Sequence, residues 1–155
     1  MTAPVPRRED WPHLLEAEFL RQSTLPFEYG RRDCCFAVVE CIRRMVGSDS
    51  VAADLEAEHL GSLRGSLEMF QKYGGLEGLA ELIAGQYGWA EWPTPLRAQR
   101  GDVGVVQGDQ VDPELGVDRV LGIVHLDGKS VLVANDPGWL AFPLTSLVRA
   151  WRINV

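Results

Sequence analysis

The chain has 155 residues, of which 46% are apolar and 24% charged, and its formal net charge is −7. Length and composition are those of one globular domain that can bury a core without disulfide staples. The acidic balance excludes broad contact with a nucleic-acid backbone, because that affinity comes largely from Lys and Arg neutralising phosphates.

The sequence gives no sign of membrane insertion. No apolar run approaches the roughly 20 residues of a membrane-spanning helix, and residues 1–10 contain no apolar core of a signal peptide. The three cysteines, two of them adjacent, are an odd set that does not suggest a disulfide framework. We therefore expect synthesis in a reducing compartment.

The predicted organisation is a flexible N-terminal lead followed by a single domain. The lead covers residues 1–9 and the domain residues 10–155, with a helical half at 10–92 and a sheet half at 93–155. Pro93 separates the halves, because β-branched residues and short turns replace helical periodicity after it.

Two helices of the first half have clear boundaries. Asp10 is predicted to cap an amphipathic helix that extends to about Thr24. The most apolar segment, Cys34–Val46, is predicted as the central helix, because Asp33 is a good N-cap and Gly47 a good left-handed stop. Further helical segments are predicted at 50–59, 62–73 and 75–86.

The second half is predicted to form an antiparallel sheet. Asp127-Gly128 is a hairpin signal between two of its strands. Residues 107–118 are predicted as a polar loop and 143–149 as a short helical turn. The strand candidates are 101–106, 119–126, 130–134, 139–142 and 150–155. Helices first and an antiparallel sheet second predict the α+β class.

Cys34 is the candidate nucleophile. A thiol in the first turn of a helix feels the positive end of the helix dipole, which favours the thiolate that attacks carbonyl carbon. The alternative is a buried structural thiol, since free cysteine is among the most buried residue types. Cys35 and Cys41 are expected to be core residues.

A cysteine hydrolase also needs a histidine base, and the chain offers three. His13 and His59 lie in helical segments and are expected to be structural or solvated. His125, at the end of a predicted strand, is the candidate base in the sheet half, and a polar edge residue is the alternative. The cysteine spacings do not fit a zinc or iron–sulfur site, and no cofactor is predicted.

Two further features leave alternatives open. Asp102 is either a functional carboxylate or part of a turn that leads into a buried strand, and Gly101-Asp102 is more typical of the turn. Trp89, Trp92 and Trp139 are either core residues or an exposed partner surface, because tryptophan is enriched at interface hot spots.

Several segments together carry a family resemblance. They are Phe27-Glu28-Tyr29-Gly30-Arg31-Arg32-Asp33-Cys34, Gly101-Asp102-Val103, Leu121-Gly122-Ile123, Gly138-Trp139-Leu140 and Ala150-Trp151-Arg152-Ile153. From Trp11 onward the chain resembles a family of small proteins of tailed phages and prophages, itself similar to the NlpC-type papain-like cysteine peptidases.

This resemblance implies a fold and a site. The fold is the papain-like NlpC type, in which Asp33 caps the central helix and Cys34 is the nucleophile. The family histidine usually begins a His-Val-Gly-Ile strand motif, and its position here is Val120. His125 lies five residues further on, and odd spacing along a strand places it on the opposite face from position 120.

The function that the resemblance implies is a tail-tip or baseplate-associated virion protein with a degenerate hydrolase site. It would assemble in the host cytoplasm with other tail-tip or hub proteins. One alternative is an active peptidoglycan amidopeptidase used in phage entry, which would bind cell-wall peptides and use Cys34 with His125 or a group from a partner. The other is a cytoplasmic thiol hydrolase with no role in virions.

Overall fold

The computed structural model describes residues 6–29, 31–47, 68, 71–72, 74–112 and 117–153. Within these residues the protein is α+β, as predicted, with helices preceding an antiparallel sheet. The predicted helix at 50–59 lies outside the described residues, and so does most of the one at 62–73.

Three helices lie in the described part of the chain: α1 (Trp11–Gln22), α2 (Cys34–Val46) and α3 (Gly75–Tyr87). Each matches a predicted helix to within two residues. Asp10 occupies the N-cap position of α1, but its side chain makes no cap hydrogen bond and instead lies 3.4 Å from Arg8 Nε. Asp10 is therefore the N-cap residue of α1, as predicted, but its side chain does not supply the cap hydrogen bond.

Six strands form one sheet in the order β1-β6-β2-β3-β4-β5, and every neighbouring pair is antiparallel. The strands are β1 (Ala90–Glu91), β2 (Val103–Asp112), β3 (Val117–Val124), β4 (Ser130–Ala134), β5 (Trp139–Pro143) and β6 (Leu147–Arg152). β1 thus lies inside the half predicted to be helical, and it pairs with β6.

The predicted polar loop at 107–118 is wrong. β2 continues to Asp112 and β3 begins at Val117, with Gln107 opposite Arg119 and Asp112 opposite Val117. Paired backbones satisfy each other's hydrogen bonds whatever the side chains, so a polar stretch can extend a hairpin beyond the core. The predicted helical turn is present at Leu144–Ser146, and the last strand follows it directly.

Helix α2 is the centre of the core, since nine of its thirteen residues are buried. Its Cys35, Val39 and Ile42 face α3 and the sheet, where Val103 and Leu121 complete an apolar pocket of only about 20 Å³. Such a volume holds about one water molecule, so the helix and the sheet are closely packed. None of the described helices is both long enough and apolar enough to cross a membrane.

Candidate functional site

Asp33 holds the first turn of α2 in place. Its backbone is extended (φ −111°, ψ −171°), and its side chain accepts hydrogen bonds from the backbone N–H groups of Cys35 and Phe36 at 3.0 and 2.9 Å. At the other end Gly47 adopts the left-handed conformation (φ 71°), and its N–H donates to Arg43 O. Both predicted helix ends are therefore present, and Cys34 is the first residue of α2.

The Cys34 sulfur lies against a second thiol. Cys34 is 5% exposed, and its Sγ is 3.9 Å from Sγ of Cys35. The pKa of Cys35 is raised well above its ordinary value by the hydrogen bond with Cys34, by complete burial and by the nearby charges of Cys34 and Asp33. Of the two adjacent thiols, Cys35 therefore keeps its proton and serves as a core residue.

Cys41 is a core residue, as predicted. It is fully buried, and its pKa is raised well above the ordinary value, mainly by burial and further by the negative charges of Glu18 and Glu40. All three cysteines are free thiols. Neither Cys35 nor Cys41 competes with Cys34 for a nucleophilic role.

His125 closes the hairpin between β3 and β4. Its backbone N–H donates to Ser130 O at 2.8 Å, and its carbonyl accepts from Gly128 N at 2.9 Å. The imidazole packs edge-on against Phe19 of α1, with 5.3 Å between ring centroids. Its buried Nδ1 has no hydrogen-bond partner within the described part of the chain. Among the described residues, the imidazole contacts Phe19 and the Cys34 sulfur contacts Cys35, and no hydrogen bond joins His125 to Cys34.

Val120, where the resemblance leads us to expect a histidine, is a buried residue of β3. It is paired with Val106 of β2 and is 2% exposed. Its neighbour Leu121 points the opposite way, into the pocket that Cys35 lines. Val120 therefore contributes to the core on the side of the sheet away from α2.

The remaining candidate site residues have no role in the described geometry. His13 of α1 is exposed, and His59 lies outside the described residues. Within the described ranges, no three His, Cys, Asp or Glu side chains converge where they could hold a metal ion.

Arg32, directly before Asp33, is the residue whose role the sequence did not reveal. It is 6% exposed, and its guanidinium donates to Gln22 Oε1 (2.8 Å), Leu25 O (3.0 Å), Asn135 O (2.9 Å) and Gly138 O. It therefore ties the approach to α2 to the turn before β5. Arg32 and Gly138 both lie in segments that carry the resemblance, but nothing in the sequence indicates that they are in contact.

Asp102 is structural and begins the sheet half. Its carboxylate, 1% exposed, accepts from Arg7 Nη2 at 2.6 Å, from Trp92 Nε1 at 2.8 Å and from Gln99 N at 2.9 Å. The pKa of Arg7 is lowered by burial, and Asp102 counteracts this shift. The Gly101-Asp102 turn thus anchors residue 7, which lies in the segment expected to be a flexible lead.

The three tryptophans considered as a partner surface are partly buried and pack against the core. The indole N–H of Trp139 donates to Phe19 O at 3.1 Å, and that of Trp92 donates to Asp102. Trp89 lines the apolar pocket beneath α2. Their packing agrees with the core alternative.

Comparison with known proteins gives a family without an assigned activity. No curated protein and no solved structure matches the chain. A family model described as a domain of unknown function, DUF6950, matches residues 6–153. Since the match covers nearly the whole sequence, the chain belongs to the DUF6950 family.

Proposed function

We propose that this protein is a tail-tip or baseplate-associated virion protein with an NlpC-like fold and a degenerate hydrolase site. The virion role rests on the resemblance of its sequence segments to small tailed-phage proteins. The degenerate site rests on one observation. Among the described residues, the group that contacts Cys34 Sγ is the thiol of Cys35, which keeps its own proton and so cannot act as a base.

A thiol serves as a nucleophile when a base can take its proton. The imidazole of His125 packs against Phe19, and the strand position where the family carries histidine is the buried Val120. What remains of a hydrolase is the capped helix that presents Cys34, and this element also supports the core. The same scaffold can serve assembly without catalysis.

The decisive experiment is genetic. In a phage or prophage that carries the gene, we expect deletion to abolish infectious particles, because an assembly component would be missing. Complementation with the wild-type gene or with Cys34→Ala should restore them equally. Rescue by wild type alone would establish a catalytic role, and full infectivity of the deletion would remove the virion role.

A biochemical experiment separates the two functions independently. Purified cell walls incubated with the protein should release no soluble muropeptides, while an active hydrolase of the same class serves as the positive control. Release that disappears in Cys34→Ala but persists in Cys41→Ala would contradict the degenerate site. Cys41→Ala is the matched control, because it truncates a core thiol on the same helix.

The second candidate function is an active peptidoglycan amidopeptidase. It is favoured by the unpartnered Nδ1 of His125 among the described residues and by the position of Cys34 in the first turn of α2. In that case Cys34 should react with iodoacetamide faster than Cys35 or Cys41, and His125→Ala should slow the reaction. Equal or negligible labelling of all three cysteines would exclude a nucleophile.

A cytoplasmic thiol hydrolase would also show faster labelling of Cys34, but deletion of its gene would have no effect on infectivity.

A further inference from the structure

A cleft of about 450 Å³ lies on the outer side of α1 and α2, next to the segment that leads into α2. It is separate from the apolar pocket beneath α2, and neither Cys34 nor His125 lines it. Its volume falls in the range of roughly 300–1,000 Å³ that is usual for small-molecule sites. Leu25 and Pro26 give it an apolar wall.

Cationic side chains dominate this cleft. Five arginines line it: Arg21, Arg31, Arg32, Arg43 and Arg44. Glu28 and Glu40 also line it, and the buried Glu18 is paired with Arg21 at 2.7 Å. Arginines thus outnumber carboxylates in a protein whose formal net charge is −7.

The arginines of the cleft are paired unequally. Arg21 and Arg43 form close ion pairs, with Glu18 at 2.7 Å and with Glu40 at 2.8 Å. Arg44 is 3.8 Å from Glu18, and Arg31 is 3.7 Å from Glu28 with 81% of its side chain exposed. These longer separations leave both guanidinium groups able to turn toward a ligand.

Arg32 supplies a buried positive charge to the same cleft. Its guanidinium donates to an amide oxygen and three backbone carbonyls, all neutral. Burial lowers the pKa of Arg32, yet an arginine side chain stays protonated in proteins. Neutral acceptors satisfy its N–H groups, and the carboxylates of Asp136 and Glu18 act on it through space without forming a salt bridge with it. An anion in the cleft would therefore still be attracted by its charge.

We infer that this cleft binds a small organic anion carrying two or more phosphate or carboxylate groups. Guanidinium groups bind both kinds of oxyanion through paired, charge-assisted hydrogen bonds. Arg31 and Arg44 make the direct contacts, Arg32 holds a fixed charge behind them, and the Leu25–Pro26 wall covers the apolar part of the ligand. This binding function is independent of the proposed virion role.

The test uses the full chain with two probes, pyrophosphate and citrate. Each is titrated by calorimetry and in thermal unfolding, against sodium chloride of equal ionic strength. We expect at least one probe to bind and to raise Tm above the chloride control. If only pyrophosphate binds, the ligand carries phosphate groups. If only citrate binds, the ligand carries carboxylate groups. If both bind, the cleft recognises the oxyanion chemistry that the two groups share.

Variants locate the binding. Arg31→Gln/Arg44→Gln should raise Kd about tenfold, as expected for the loss of charge-assisted hydrogen bonds. Arg97→Gln/Lys129→Gln removes the same net charge from exposed positions outside the cleft and should leave Kd unchanged. If the double variant is poorly folded, Arg31→Gln alone replaces it, because that side chain is 81% exposed.

Two results would overturn the inference. One is that neither probe stabilises the protein beyond the chloride control. The other is that the cleft variant and the control variant bind equally, since the anion would then lie elsewhere.

Discussion

Two arginines whose guanidinium groups are held by several hydrogen bonds anchor different parts of this molecule, and they do so in different ways. Arg7 meets a carboxylate, with Nη2 2.6 Å from Asp102 Oδ1 and with 5% of its side chain exposed. Arg32 is 6% exposed as a whole residue, but its guanidinium donates to neutral oxygens. The first is a closed ion pair, whereas the second leaves a net charge beside an open cleft.

The different partners of Arg7 and Arg32 indicate that Arg7 stabilises the fold, whereas Arg32 can also attract a ligand. A buried ion pair is sensitive to the loss of one partner but tolerates replacement of both by apolar residues. A buried cation with neutral acceptors has no such partner, and water in the adjacent cleft can reach its acceptors when it is removed. Removing one partner of the Arg7–Asp102 pair should therefore destabilise the protein more than removing Arg32. Anions should act mainly on the surroundings of Arg32.

The largest expected effect is at Asp102. Asp102→Leu should lower the free energy of unfolding by about 3–5 kcal/mol, because Arg7 would remain buried without its counter-charge. The double variant Arg7→Met/Asp102→Leu should be less destabilised than the single one, although Trp92 Nε1 and Gln99 N still lose their acceptor. Urea unfolding measures both, and a double variant at least as unstable as the single one would refute the ion-pair account.

Arg32→Met should cost about 2–3 kcal/mol, because four acceptors lose their donor and water replaces it only in part. Arg31→Met is the matched control. This neighbour is 81% exposed, so its change should stay within about 0.5 kcal/mol. The measurement is urea unfolding without added anions. If Arg32→Met lowered the free energy of unfolding more than Asp102→Leu, the ion pair of Arg7 would not be the more sensitive of the two sites.

Glycine substitutions probe how tightly the surroundings of Arg7 are packed. Gly101 and Gly128 both have positive φ, +81° and +68°. A Cβ at Gly101 would lie 2.8 Å from both Arg7 Nη1 and Trp11 Cζ3, whereas one at Gly128 would meet nothing within 4 Å. Gly128→Ala should cost about 1–2 kcal/mol for backbone strain, and Gly101→Ala about 1–2 kcal/mol more for overpacking. Equal shifts in urea midpoint would contradict tight packing around Arg7.

The smallest expected effect is a dependence of stability on pH that comes from Cys41 of α2, which interacts electrostatically with Arg32. Burial raises the pKa of Cys41 above its ordinary 9.0, so the folded protein holds this proton more tightly than the unfolded chain. Its contribution to stability is present below pH 9.0 and is lost as pH rises above that value. Cys41→Ala should therefore lose less stability than wild type between neutral pH and about pH 10. An identical decline in both proteins would assign the effect to Cys35, whose pKa is also raised.

Local signals made much of the fold predictable. Asp33 and Gly47 mark the ends of α2 because capping needs a side-chain acceptor at one end and a positive φ at the other, and both depend on single residues. The Asp127-Gly128 turn is equally local, with Asp127 accepting from the backbone of Lys129 and Ser130. Each of these features is determined within a few residues.

Long-range partners could not be predicted in this way. The hairpin extension through 107–112 arises from pairing with residues 117–119 and has no apolar alternation to reveal it. The site was predicted only in part for the same reason. Cys34 follows from its cap, but the contact of His125 with Phe19 joins residues 106 positions apart, and a charged residue such as Arg32 gives no sign of burial in the sequence.

The contact between Arg7 and Asp102 spans 95 positions, and this has a consequence for synthesis on the ribosome. Arg7 therefore emerges from the ribosome well before the carboxylate that it binds. The Arg7–Asp102 ion pair can form only after residue 102 has left the ribosome, when the helical half has already been exposed to the cell. A bulky fusion partner attached close to residue 7 would be expected to hinder formation of this pair, while one attached at the far end would leave it undisturbed.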